Sequence, residues 1–176
     1  MVQIIKLVKK AIKGDEKAFL VLFQEYEHDI YRTAFIYVKN ESDALDVVQE
    51  TAYRSFKYIK NLKEPKYFKT WLIKIAISCS LDHLHKQKNV MQMKPEFEEL
   101  ISGDTNDDII LTMTLQDLID QLNEDEKSVI ILRFYHDLTI KEVSESLEIP
   151  LGTAKTVLYR ALEKLRKVMK GDGRYE

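Results

Sequence analysis

Glycine and proline are scarce, five and three in 176 residues. Strand-rich folds need many tight turns built from such residues, so their scarcity argues for a mostly helical chain. One cysteine, Cys79, excludes an internal disulfide framework. The four histidines are His28, His83, His85 and His136, and none stands near Cys79 at the spacing of a zinc finger. His83 and His85 lie two apart on a helix and do not share a face, so no metal site and no cofactor is expected. No apolar run approaches the roughly 18 residues of a membrane span. The amino terminus, MVQIIKLVKKAIKG, is amphipathic and lacks the apolar block and cleavage site of a secretory signal. The expectation is a cytoplasmic protein without direct membrane insertion. A Gly-rich phosphate loop and a nucleophile–base pair are missing as well, so no catalytic residue is nominated and no enzyme is expected.

What the chain does have is 45% hydrophobic and 32% charged residues, enough to build a core. The net charge of −2 hides an uneven partition: +5 over residues 1–90, −9 over 91–137 and +2 over 138–176. Two basic ends around an acidic middle keep a nucleic-acid partner open.

Periodicity divides the chain. From about 15 to 38, Phe19, Leu22, Phe23, Tyr26, Ile30, Ala34 and Tyr37 recur at steps of three and four, behind Asp15 as N-cap. Ser42 is expected to cap a second helix whose buried stripe is Leu45, Val48, Ala52, Phe56 and Ile59. Residues 60–66 read as a loop, because Pro65 biases its neighbour away from helix, and a third helix covers 67–88. Residues 88 to about 111 lose the pattern and contain the acidic run GDTNDD, too long a stretch for a connection inside one compact domain. The expected fold is therefore all-α: two small helical domains, 1–88 and 113–176, joined by a flexible acidic linker, 89–112. The acidic middle is expected to shield basic surfaces.

In the second domain, Asn123 with Glu126 and Thr139 with Glu142 form capping-box patterns. The second opens a short helix, TIKEVSESL; a tight turn at Glu148, Ile149 and Pro150 and a longer helix follow. Short helix, turn and long helix is the layout of a helix-turn-helix. On the long helix Ala154, Val157, Leu158, Ala161, Leu162 and Leu165 share one side. Thr156, Tyr159, Arg160, Glu163 and Lys167 lie opposite, with Lys155 at the edge. That outer face suits base edges and phosphates in a major groove, and it equally suits a solvated helix surface.

Residues 54–74 carry Arg54, Lys57, Lys60, Lys63, Lys66, Lys69 and Lys74 against the single acid Glu64. Tyr53, Phe56, Tyr58, Tyr67, Phe68 and Trp71 are interleaved. Cations attract a phosphate backbone and exposed rings stack on unpaired bases; some of these rings are expected simply to be core. Asp43, Asp46 and Glu50 make an acidic stripe that by itself reads as an ordinary solvated face.

GDEKAF, IYRTAFIYVKN, DALDVVQETAYRSF and FKTWLIKIAIS together resemble the first domain of bacterial RNA polymerase sigma factors of the sigma-70 family, in its small extracytoplasmic-function (ECF) group. LNEDEKSVIILRFYHDLTIKEVSESLEIPLGTAKTVLYRALEKLRK resembles the family's promoter −35 module. The resemblance implies a transcription-initiation factor that binds core RNA polymerase, through its β′ coiled coil and β flap, recognises −35 and −10 promoter DNA and promotes melting. It implies an anti-sigma factor as a further partner. It implies polymerase docking by Asp43, Asp46, Gln49 and Glu50. It implies −10 binding and melting by Lys57, Tyr58, Lys60, Lys63, Lys66, Tyr67, Lys69, Trp71, Lys74 and Ser78, with a flipped base held near the 59–66 loop. It implies −35 reading by Thr153, Lys155, Thr156, Tyr159 and Arg160. The chain departs from the family's habit at Ala52, Ser78, His85 and Val157, where Phe, Asn, Arg and a basic residue are common. A different class also fits the second domain, a stand-alone helix-turn-helix regulator that binds duplex DNA as a dimer.

Overall fold

The computed structural model describes the backbone of residues 2–92 and 115–169, and among the described residues every regular element is helical. The acidic run at 103–108, with its expected shielding role, lies outside them.

The first domain consists of α1 (Val2–Ile12), α2 (Glu16–Val38), α3 (Glu41–Tyr58) and α4 (Phe68–Gln92), with 3₁₀ turns at Ile59–Asn61 and Pro65–Tyr67 between the last two. Gly14 turns the chain between α1 and α2 at φ +98°, a region side chains avoid. Asp15 then caps α2, its Oδ1 accepting the Ala18 N–H at 3.0 Å. Lys39 ends α2 in the left-handed region.

Three local expectations are corrected. The cap of α3 is Asn40, not Ser42: its Oδ1 accepts the Asp43 N–H at 2.8 Å. Asn caps as well as Ser, and the earlier start puts Glu41 in the positively polarised first turn. The buried face of α3 is Ala44, Val47, Val48, Thr51 and Ser55, while Leu45 and Phe56 are 47% and 46% exposed. Thr51 and Ser55 can enter the core because their hydroxyls donate to the Val47 and Thr51 carbonyls, at 2.7 and 2.6 Å. Phe56 keeps an edge-on contact with Phe19. Finally, α4 continues past Lys88 to Gln92. Residues 85–89 are exposed, so apolar periodicity fades there, but neither Gly nor Pro interrupts the helix.

The second domain contains α5 (Leu115–Asp120), α6 (Glu124–Ile130), running on as a π-helical turn at Ile131–Tyr135, then α7 (Ile140–Leu147) and α8 (Leu151–Met169). Both capping boxes form. Between α7 and α8 Glu148 takes φ +56°, and the Ile149 N–H closes onto the Ser144 carbonyl at 3.0 Å. This left-handed cap makes the tight turn that sends α8 off in a new direction. Ala154, Val157 and Ala161 face inward; Leu162, expected inside, is 36% exposed at the edge of the packed stripe.

The two domains pack on one another. Val8, Leu22, Ile30, Phe68, Leu72 and Ile73 of the first and Val129, Ile131, Leu132 and Val143 of the second belong to one cluster of buried apolar side chains. Burying each is worth about 1.5–3 kcal/mol.

Candidate nucleic-acid interface

The basic and aromatic segment folds over the end of α3, the two 3₁₀ turns and the start of α4. Lys57, Tyr58, Lys60, Lys63, Lys66, Tyr67 and Lys69 are all exposed. Lys57 lies over the Tyr53 and Tyr58 rings, and Lys66 sits 4.7 Å from the Tyr67 ring centre, so cations and π faces are presented together. Phe68 is core, 1% exposed, and the half-buried Trp71 packs beside it. Lys69 is held by Asp29 at 2.9 Å. Arg54 is drawn out of this cationic surface. It donates to Glu50 and Asp82, each at 2.6 Å, and these hydrogen bonds, the one to Asp82 first, raise its pKa above the ordinary value.

Lys63, Tyr67, Trp71 and Lys74 line a cleft of about 320 Å³, whose opposite wall carries Glu142, Glu145 and Ser146 of α7. Glu148 pairs with Lys74 at 2.5 Å. Among the described residues, α7 thus sets an acidic face against the basic surface. Sequence reasoning missed it; the signal was Glu142, Glu145 and Glu148 at steps of three. Ser78 of α4 and Thr153 of α8, nominated for different promoter elements, line a single cleft between the domains together with Lys74. Lys57, Tyr58, Lys60, Lys66 and Lys69 line neither cleft.

The acidic stripe on α3 is not uniform. Burial works against the charge of Asp43, yet hydrogen bonds from Gln87 and Asn40 and the adjacent His83 hold its carboxyl below the ordinary value. Asp46 and Gln49 face solvent, and Glu50 is tied to Arg54.

On α8, Thr153, Lys155, Thr156 and Tyr159 are exposed, Tyr159 by 70%. Thr156 donates to the Gly152 carbonyl, leaving its oxygen lone pairs outward. Arg160 is exposed but restrained: its Nε donates to Glu126 Oε1 at 2.9 Å, and Lys164 Nζ donates to Oε2 of the same carboxylate at 2.8 Å. Glu126 is fully buried. Burial opposes its charge, but hydrogen bonds from Lys164, the Asn123 amide and Arg160 keep its carboxyl below the ordinary range.

Polar contacts join the domains around their shared core. Ser128 Oγ donates to the Glu124 carbonyl, so the Tyr37 hydroxyl donates to Ser128 Oγ, at 2.8 Å. Thr33 donates to the Asp29 carbonyl, so His136 carries its proton on Nε2 and donates it to Thr33, at 3.0 Å. Lys39 pairs with Asp120 at 2.5 Å. Among the described residues no group of three His, Cys, Asp or Glu is placed to hold a metal ion, and no helix is long and apolar enough to cross a membrane.

Residues 22–90 match the sigma-70 region 2 family model and residues 118–167 the sigma-70 region 4 model. The chain is 38% identical over 155 residues to the RNA polymerase sigma factor SigV of Bacillus subtilis, covering 88% of this chain and 93% of that protein. It is 28% identical to the ECF RNA polymerase sigma factor SigW of the same organism, over 94% of this chain and 96% of that one. Two solved structures share the fold. CnrH in complex with the cytosolic domain of CnrY has a TM-score of 0.69 at 18% identity, covering 97% of this chain and 99% of that one. The sigma factor RpoE of Bartonella quintana in complex with the anti-sigma factor NepR has a TM-score of 0.67 at 18% identity, covering 84% and 95%.

Proposed function

The chain belongs to the sigma-70 family, in its ECF group, and from that premise we propose that it joins core RNA polymerase in the bacterial cytoplasm and directs it to −35/−10 promoters. Asp43, Asp46, Gln49 and Glu50 dock on a basic polymerase surface, the β′ coiled coil, and Asp43 also ties the start of α3 to α4 through Gln87 and His83. The second domain meets the β flap. The exposed Lys57, Tyr58, Lys60, Lys63, Lys66, Tyr67 and Lys69, with Trp71, Lys74 and Ser78, take the unpaired −10 strand. Thr153, Lys155, Thr156, Tyr159 and Arg160 enter the −35 major groove. The chain acts by binding and positioning, without a chemical step of its own. An anti-sigma factor is its expected regulator.

The observation that carries this reading is the coexistence of two exposed cationic surfaces in one chain. One is ring-lined, as unpaired bases require; the other lies on a helix-turn-helix, as a duplex requires. Lys74, Ser78 and Thr153 line clefts shared by the domains, so separating the domains would open the part of each surface that faces the other domain. The test is run-off transcription: core polymerase with the purified chain yields promoter-dependent transcripts, and core alone does not. Duplex binding as a dimer, with no affinity for core, would establish the stand-alone regulator instead.

A further inference from the structure

Arg160 and Lys164 lie one turn apart on α8, and both reach back to one carboxylate on α6. Glu126 is fully buried, and three donors converge on its side chain: Arg160 Nε on Oε1, Lys164 Nζ and the Asn123 backbone N–H on Oε2. Only one edge of the Arg160 guanidinium is used. Neither Nη group has a partner among the described residues, and the side chain is 53% exposed. A fork held at its Nε edge presents its two Nη groups outward in a fixed plane. Guanine O6 and N7 accept a bidentate pair of donors from such a fork.

An unrestrained arginine samples many rotamers and reaches the nearest phosphate as readily as a base edge. The restraint removes that freedom before DNA arrives, so less is lost on binding. The same carboxylate offsets one of two cations at a surface that faces a polyanion and keeps Lys164 from the phosphates. Affinity for DNA of any sequence falls, while the geometry for one base is kept.

Building on the reading of α8 as the −35 helix, we propose that Glu126 is a positioning residue for promoter recognition: it aims the Arg160 fork at a base edge, exchanging general DNA affinity for base preference.

The experiment uses the full chain assembled with core polymerase, on duplexes randomised through the −35 element. Glu126→Gln is the first variant, because Gln also serves the third position of a capping box and preserves the start of α6. Preference at one or two −35 positions is expected to fall about tenfold. Binding to scrambled duplex at low salt is expected to rise, and the slope of log K against log salt to steepen by about one. Glu126→Asp keeps the charge but withdraws the carboxylate by one methylene; base preference is expected to fall with the salt slope unchanged. In an Arg160→Ala background, Glu126→Gln is expected to leave base preference unaltered. The proposal is overturned if specific and scrambled binding fall together in step with thermal stability, which is a structural role only. It is overturned equally if Glu126→Gln changes preference without Arg160, or if it leaves preference intact while the wild type discriminates. A wild type with no −35 preference would overturn the recognition-helix reading itself, and the proposal with it.

Discussion

Tyr37 of α2 donates a buried hydrogen bond to Ser128 of α6, 91 residues further along the chain, at 2.8 Å. It joins the first domain to the second. Ser128 retains its own bond to the Glu124 carbonyl when the phenol is removed.

Tyr37→Phe is therefore expected to weaken domain docking by about 1 kcal/mol, roughly fivefold in the docking equilibrium, while each domain stays folded. Energy transfer between labels on α2 and α8 would report the shift toward separated domains. Affinity for a single-stranded −10 oligonucleotide should rise with it. An unchanged distance distribution would refute a role for this hydrogen bond in domain docking.

His136 supplies a pH dependence. Burial, with a smaller contribution from Lys69, depresses its pKa to about 4, against the opposing pull of Asp29 and Asp137. The docked, folded state holds the neutral ring, and the unfolded state takes up a proton below its ordinary pKa of about 6.5. The stabilisation is full above pH 6.5 and drains away as the pH falls toward 4. Between pH 7 and 5 the loss should be on the order of 1–2 kcal/mol, and His136→Gln should flatten that slope in denaturant titrations at the two pH values.

Asp46→Lys combined with Glu50→Lys should sharply reduce core polymerase binding in a pull-down and leave the helical circular dichroism signal intact. Neither residue is in the core of α3, so helix content is a valid control. Wild-type binding by the double variant would remove this face from polymerase docking.

Replacing Lys60, Lys63 and Lys66 with Ala should reduce permanganate-detected melting more than closed-complex formation. All three are exposed, and none forms an ion pair among the described residues. If each contacts a phosphate of the opened strand, the salt slope of single-strand binding drops by about two. Equal loss of closed and open complexes would reduce the loop to a general electrostatic role.

Features governed by short spacing are legible in the amino-acid sequence. Asp15, Asn123 with Glu126 and Thr139 with Glu142 cap helices as their spacing implies, because a cap depends only on residues three apart. The turn between α7 and α8 is visible for the same reason. Stripes are less secure. On α3 the rule that apolar residues face inward selects Leu45 and Phe56, yet Thr51 and Ser55 take the core by satisfying their hydroxyls on their own helix.

The sequence by itself determined that the chain is helical, that it ends in a helix-turn-helix and which family it resembles, since propensity, capping and motif order are properties of neighbours along the chain. The tertiary structure alone decided what each exposed charge is free to do. Arg54 and Lys69 are taken up by carboxylates on other helices, Lys74 faces α7, and Arg160 is restrained by a buried Glu126 that the sequence marked only as a cap. A carboxylate 34 residues away in sequence restrains a guanidinium only when packing brings α6 against α8, and no periodicity within either helix encodes that approach.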